Sequence, residues 1–243
     1  NPTISNDTTM NGTGTGVYSD TLQNLTPATT YYVRAYATNS VGTSYGTGLS
    51  FTTSLPGLRC PGTPTVTDID GNIYNTVQIG NQCWTQSNLK VSKYRNGDAI
   101  PTGLSDSAWQ NTTSGAYAIF INNVNHDTKY GKLYNHYSVL DNRGLCPTGW
   151  HVPSDNEWYE LTNHLGGASI AGGALKSLET QPNNWGWSIP NSGATNSSGF
   201  TALPGGFRIM SGVFTDWPSH GYWWSYDVVL GAFAYSRGVH FNA

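Results

Sequence analysis

Histidine, cysteine, serine and carboxylate side chains carry most protein chemistry, and here none falls into a spacing that a reaction needs. The six histidines, at 126, 136, 151, 164, 220 and 240, lack the His-x-x-x-His or Glu-x-x-His spacing that sets two metal ligands on one helix face. Ser192 and Ser198 precede glycines in polar loops, without the apolar strand that leads into a nucleophile elbow. Asp216 and Asp227 are the carboxylates an acid–base pair would use, but nothing in the sequence sets them face to face. Asp68, Asp70 and Asn72 alternate like calcium ligands, yet the glycine comes too early and no distal glutamate follows, so the segment reads as an Asp-Gly turn. The expectation is a chain with no catalytic residue, no metal and no cofactor.

The densest chemistry is recognition. Residues 207–241 carry Trp217, His220, Tyr222, Trp223, Trp224, Tyr226, Phe233, Tyr235, Arg237 and His240 among glycines and serines. Aromatic rings with a polar edge give large contact area at low entropic cost, the composition of paratopes and sugar platforms. Trp224 and Phe214 are assigned to the core. Trp217, His220, Tyr222, Tyr226, Tyr235 and Arg237 form the expected contact face for a glycan or a surface protein. The rival reading makes these rings all core and the domain a spacer or filament subunit.

The elements that position them come from composition and periodicity. The 243 residues are 37% hydrophobic but only 10% charged, against about 25% in ordinary soluble domains. Nine Trp and 15 Tyr stand among abundant Gly, Asn, Ser and Thr, the profile of a loop-rich extracellular protein. A net charge of -3 with scattered basic residues offers no footprint for nucleic acid, and no apolar run is long enough to span a bilayer.

Three prolines and two glycines between Thr53 and Pro64 mark a boundary, giving a first unit at 1–53, a linker at 54–64 and a second unit at 65–243. Upstream, Tyr31, Val33, Ala35 and Ala37 alternate with Tyr32, Arg34 and Tyr36 in a strand, and a second strand is expected from 48 to 53. Downstream, residues 66–79 read as a hairpin around Asp70-Gly71-Asn72. Ser154-Asp155-Asn156-Glu157 is a capping box, placing Trp158, Leu161 and Leu165 on one helix face ended by Gly166-Gly167. A second helix is expected from 170 to 178 with Leu175 and Leu178 inward, and His151 is expected to be a buried, hydrogen-bonded group. After Pro182 the chain reads as long loops held by aromatic anchors.

Two resemblances join these pieces. Leu25-Thr26-Pro27-Ala28-Thr29-Thr30-Tyr31 resembles the tyrosine corner of fibronectin type III domains, implying the latter part of such a sandwich whose first strands lie outside this sequence. Residues 60–240 resemble the Fibrobacter succinogenes major paralogous domain of Fibrobacter and Bacteroidetes surface proteins. The matching segments include Ile79-Gly80-Asn81-Gln82-Cys83-Trp84, Tyr130-Gly131-Lys132-Leu133-Tyr134-Asn135, Cys146-Pro147-Thr148-Gly149-Trp150, Gly199-Phe200-Thr201-Ala202-Leu203-Pro204-Gly205-Gly206 and Tyr222-Trp223-Trp224-Ser225. The helix entry at 149–158 is similar to that of formylglycine-generating enzymes, which implies an α+β, C-type-lectin-like fold with short helices and long loops. The paired cysteines of those enzymes have no counterpart after Cys146, so their activity is not carried over.

The resemblance further implies a location on the bacterial surface or outside the cell, within a larger chain whose last strand is cut off here. It implies a disulfide between Cys60 and Cys83, with the partner of Cys146 beyond the present end. Some members are variable proteins of diversity-generating retroelements, and residues 207–220 resemble their mutagenised region.

Overall fold

A computed structural model describes residues 1–20, 22, 25, 29–52, 58–182, 185–229 and 233–242. The chain divides into two compact units, residues 1–56 and 57–243. Three residues of the expected tyrosine corner, Thr26, Pro27 and Ala28, lie outside the described residues, as do 53–57 of the expected linker.

The first unit is built on an antiparallel pair, β1 (Thr30–Thr38) and β2 (Thr43–Thr52). Val41 and Gly42 donate their N–H groups to the Asn39 side chain, the local bonding that makes asparagine a turn former. Tyr31 stacks on Phe51, and Arg34 lies over the Tyr45 ring. The expected alternation holds as far as Val33 and then inverts, with Arg34 and Tyr36 half-buried and Ala35 and Ala37 exposed. The change falls at the register shift between Arg34 and Tyr36, where β2 carries one extra residue between Tyr45 and Gly48 and the one-to-one pairing of the strands is broken.

The second unit begins with a meander, β3 (Thr65–Thr67), β4 (Ile73–Ile79) and β5 (Gln82–Thr85), ordered β3-β4-β5. Gly80, at φ 60°, opens the two-residue β4–β5 turn at the position where glycine meets no steric penalty. The expected linker from Leu58 onward belongs to this unit. The Leu58 carbonyl accepts the Gln78 N–H, and the Thr63 and Pro64 carbonyls accept from Thr76. Cys60, almost fully buried, is disulfide-bonded to Cys83 with Cα atoms 5.8 Å apart. Closing that 23-residue separation stabilises the fold by about 3 kcal/mol in the chain-entropy account.

Short elements follow: α1 (Asp106–Asn111), β6 (Tyr117–Ala118), α2 (Val124–Tyr130), β7 (Leu133–Tyr134) and α3 (His136–Val139). Then come α4 (Asp155–His164) and α5 (Ala168–Leu175). The capping box is formed as expected, with the Ser154 hydroxyl accepting the Glu157 N–H and Glu157 accepting the Ser154 N–H. His151 is exposed rather than buried, held by a hydrogen bond to the same Glu157. The second helix ends three residues early, leaving Leu178 64% exposed, because Lys176 turns extended and bridges to Ala202.

Where long loops are expected, two hairpins stand: β8 (Phe207–Arg208) with β9 (Phe214–Thr215), and β10 (His220–Val229) with β11 (Phe233–His240). Small sheets and short helices make this an α+β unit. Its main core joins Val77, Trp84, Trp158, Leu161, Leu175, Trp187 and Phe200 from the meander, α4, α5 and the following loops. A second cluster centres on Val91, Tyr94, Ile100, Val139 and Leu145. β10 serves both, since consecutive side chains of a strand face opposite ways: Trp223 packs on the first cluster and Trp224 on the second. No helix among the described residues is long and apolar enough to cross a membrane.

Candidate functional site

Beside β10 lies a cleft of about 820 Å³, within the range of small-molecule and peptide sites. It is lined by the runs 81–89, 132–134, 149–153, 205–210 and 222–224. Trp84, Phe200 and Trp223 form its floor. Trp150, Met210 and Tyr222 stand among its outer residues, with Met210 and Tyr222 exposed.

The charged groups in its walls are already paired. Lys132 binds Asp127, Arg208 binds Asp106 while lying over the Trp109 ring, and Glu157 binds His151. An apolar, aromatic wall with neutral hydrogen-bonding groups suits an amphipathic ligand better than an ion. Cys146 also lines the cleft as a free, half-buried thiol. Burial pushes its pKa up to about 12 against the opposing pull of Arg95, so the thiol stays protonated and weakly nucleophilic at neutral pH.

Of the six residues expected on the contact face, Tyr222 lines the cleft. Its ring meets Phe207 edge-on, and its hydroxyl donates to Asp216 at 2.8 Å. Burial and that carboxylate push the phenol up to about 12. His220 stacks on Tyr222 at 5.7 Å and lies 4.1 Å from the His240 ring; burial and His240 lower its pKa against Asp216, which raises it.

Ser219, His220 and Asp216 are close but cannot act as a proton relay. Ser219 Oγ and Asp216 Oδ2 both approach Nδ1, whereas a relay uses opposite ring nitrogens. Tyr226 and Tyr235 are exposed farther along the hairpin, within the bulge between Trp224 and Val228, and Arg237 is paired with Asp155. Among the described residues no three His, Cys, Asp or Glu side chains converge as a metal site. Around the Asp68 turn, both carboxylate oxygens are occupied by N–H and O–H donors.

Trp217 turns inward. Its ring packs on Phe120, His126 and Trp185, and its Nε1 is buried. His126, only 2% exposed, sits among Phe120, Tyr130, Trp185 and Trp217 with ring centroids 5.0–5.3 Å away. Burial lowers its pKa, so the folded state keeps the ring neutral where the unfolded chain takes up a proton. That stability is full above the ordinary value of 6.5 and is lost as pH falls through the lower folded value. His136 and His220 are shifted the same way. Urea unfolding is expected to show constant stability at neutral pH and a decline on acidification. His126→Phe should remove up to about 1.4 kcal/mol per pH unit of that slope. An unchanged slope would assign the decline to the other two histidines and to the carboxyls of Asp70, Asp141 and Glu157, which their hydrogen-bond partners hold below the ordinary range.

Trp150 and Lys132 are cleft residues that sequence reasoning did not assign to the contact face, while Arg208 and Met210 fall within the 207–220 stretch it singled out without being named as contacts. Trp150 carried the one usable signal, a large aromatic just ahead of the helix cap. The family model described as the Fibrobacter succinogenes major domain matches residues 77–230, which holds most of the cleft lining, the β8–β9 hairpin and β10. The chain belongs to this family. Searches of curated proteins and of solved structures return no match. In this major domain the matched segment thus runs from the Val77 core position of β4 through the whole of β10.

Proposed function

We propose that this major domain is a non-catalytic ligand-binding module displayed on a bacterial surface or secreted, taking a glycan or protein ligand in the cleft beside β10. The supporting observation is the cleft itself: aromatic and apolar walls, exposed Tyr222 and Met210, and wall charges already neutralised by partners. Such a surface gains affinity from buried rings and specificity from a few neutral hydrogen bonds. The finer architecture belongs to the same proposal: a C-type-lectin-like second unit behind part of a fibronectin-type-III-like first unit.

The test is an array of oligosaccharides and purified surface proteins probed with the whole chain and with Tyr222→Ala and Tyr226→Ala. Tyr222→Ala is expected to weaken the best ligand tenfold or more, the loss typical of an aromatic anchor, while Tyr226→Ala has the smaller effect. Equal binding by Tyr222→Ala, with an unchanged circular dichroism spectrum, would place the site elsewhere. A chain that binds nothing on the array would favour the spacer reading.

A further inference from the structure

We propose that the cleft receives an extended segment of another polypeptide as an added β-strand, between the outer edges of β5 and β10; this rests on the cleft being the binding site. A strand that borders a cavity with one face contributes alternate residues. β5 and its continuation contribute every residue from 81 to 89, and β10 contributes 222, 223 and 224, so both strands turn their edges to the space.

The ladder phase shows which main-chain groups those edges offer. The Gln86 N–H bonds the Asn75 carbonyl, so the bonded β4–β5 pairs are Asn75 with Gln86 and Val77 with Trp84. Cys83 and Thr85 therefore point N–H and C=O outward, and β5 is an edge of its sheet. On β10, the Phe241 N–H bonds the Ser219 carbonyl, which makes Gly221 with Val239 and Trp223 with Arg237 the bonded pairs. The Tyr222 carbonyl and the Trp224 N–H face outward. Among the described residues the Cys83 and Thr85 groups, the Tyr222 carbonyl and the Trp224 N–H have no hydrogen-bond partner, whereas on the same edge of β10 the His220 carbonyl accepts the Gly206 N–H and the Trp224 carbonyl accepts the Trp158 indole N–H.

One aromatic floor joins the two strands. Trp84 meets Phe200 at 5.7 Å and Phe200 meets Trp223 at 5.9 Å, so two ring contacts carry the floor from one edge to the other. The cleft of about 820 Å³ is floored by Trp and Phe rings, and its unpaired amides and carbonyls call for a main chain rather than a sugar ring.

A display library of random twelve-residue linear peptides, panned on the intact chain, tests this. Selected peptides are expected to alternate apolar and polar residues, to lose tenfold or more in affinity when alternate amides are N-methylated, and to slow alkylation of the free Cys146 thiol by iodoacetamide. Thr85→Pro should weaken them tenfold too, because it deletes an outward N–H at an edge while leaving the β4–β5 ladder intact. If that variant does not fold, the N-methylated peptides read the same requirement.

Equal binding after N-methylation, unchanged Cys146 alkylation, or no peptide selected would each overturn the strand proposal. A self-associating chain in sedimentation would replace the second polypeptide by a second copy and overturn it as stated. If oligosaccharides bind in a Tyr222-dependent way while peptides do not, the binding reading survives and the strand proposal falls. If neither binds, both fall.

Discussion

Lys176→Met is expected to lower the unfolding free energy by about 3 kcal/mol. Lys176 follows α5 and is fully buried, with Nζ donating to the carbonyls of Ser192 at 2.6 Å, His240 at 3.0 Å and Phe241 at 3.3 Å. Burial lowers the pKa of the amine, the usual effect of removing an ammonium from water. Methionine keeps the length of the stem beside the Trp187 ring but donates nothing, so three inward carbonyls lose a charged donor. Each such bond contributes about 1.5–3 kcal/mol net, and the relief of an expensive buried charge offsets part of the sum. Urea denaturation measures the difference, and amide exchange should quicken at the end of β11, which these bonds hold. A change under about 0.5 kcal/mol would mean that water replaces the amine without cost.

Asp68→Ala should cost a similar amount, about 3 kcal/mol, by stranding donors rather than acceptors. Asp68 Oδ1 accepts the N–H groups of Asp70 and Asn72, and Oδ2 accepts the Asn72 side chain and the Tyr74 hydroxyl. Tyr74 is 1% exposed and has no route to bulk water. Its hydroxyl also accepts the Lys90 N–H, so the turn is tied to the segment that leads into the second core cluster. Burial, reinforced by Asp68, holds the phenol well above its ordinary pKa. A double-mutant cycle isolates the contact: in a Tyr74→Phe background, Asp68→Ala should cost about 1–2 kcal/mol less. Additive costs would show that the backbone donors, not the phenol, carry the effect.

Both hubs show what a sequence discloses. The Asp68 turn was legible because Asp-Gly chemistry is local, and the α4 cap because its four residues bond one another. Lys176 was not legible: its acceptors are 16 to 65 residues away and nothing about a single lysine announces burial. The same limit hid the docking of residues 58–64, where proline and glycine suggested a linker but a disulfide and β4 supplied partners. The β1 alternation breaks at Arg34, beside a bulge carried by β2, and no side-chain type in β1 marks the change.

The candidate site was half legible. Tyr222 and the aromatic richness around it stood in one stretch, while the cleft they border is assembled from segments between residues 63 and 236. Trp217 was misplaced for a related reason, because only the fold brings Phe120, His126 and Trp185 around its ring.

The two-sided packing of β10 bears on how such a domain can diverge. At positions 221, 223 and 225 change is policed by the core: a side chain at Gly221 would strike the Leu203 carbonyl, Trp223 lies on the main cluster, and Ser225 is fully buried. Positions 222, 226 and 228 look outward. A lineage can therefore rewrite these three letters of the strand to meet a new ligand, while Trp224, held by the second cluster, and the letters between keep spelling the same fold.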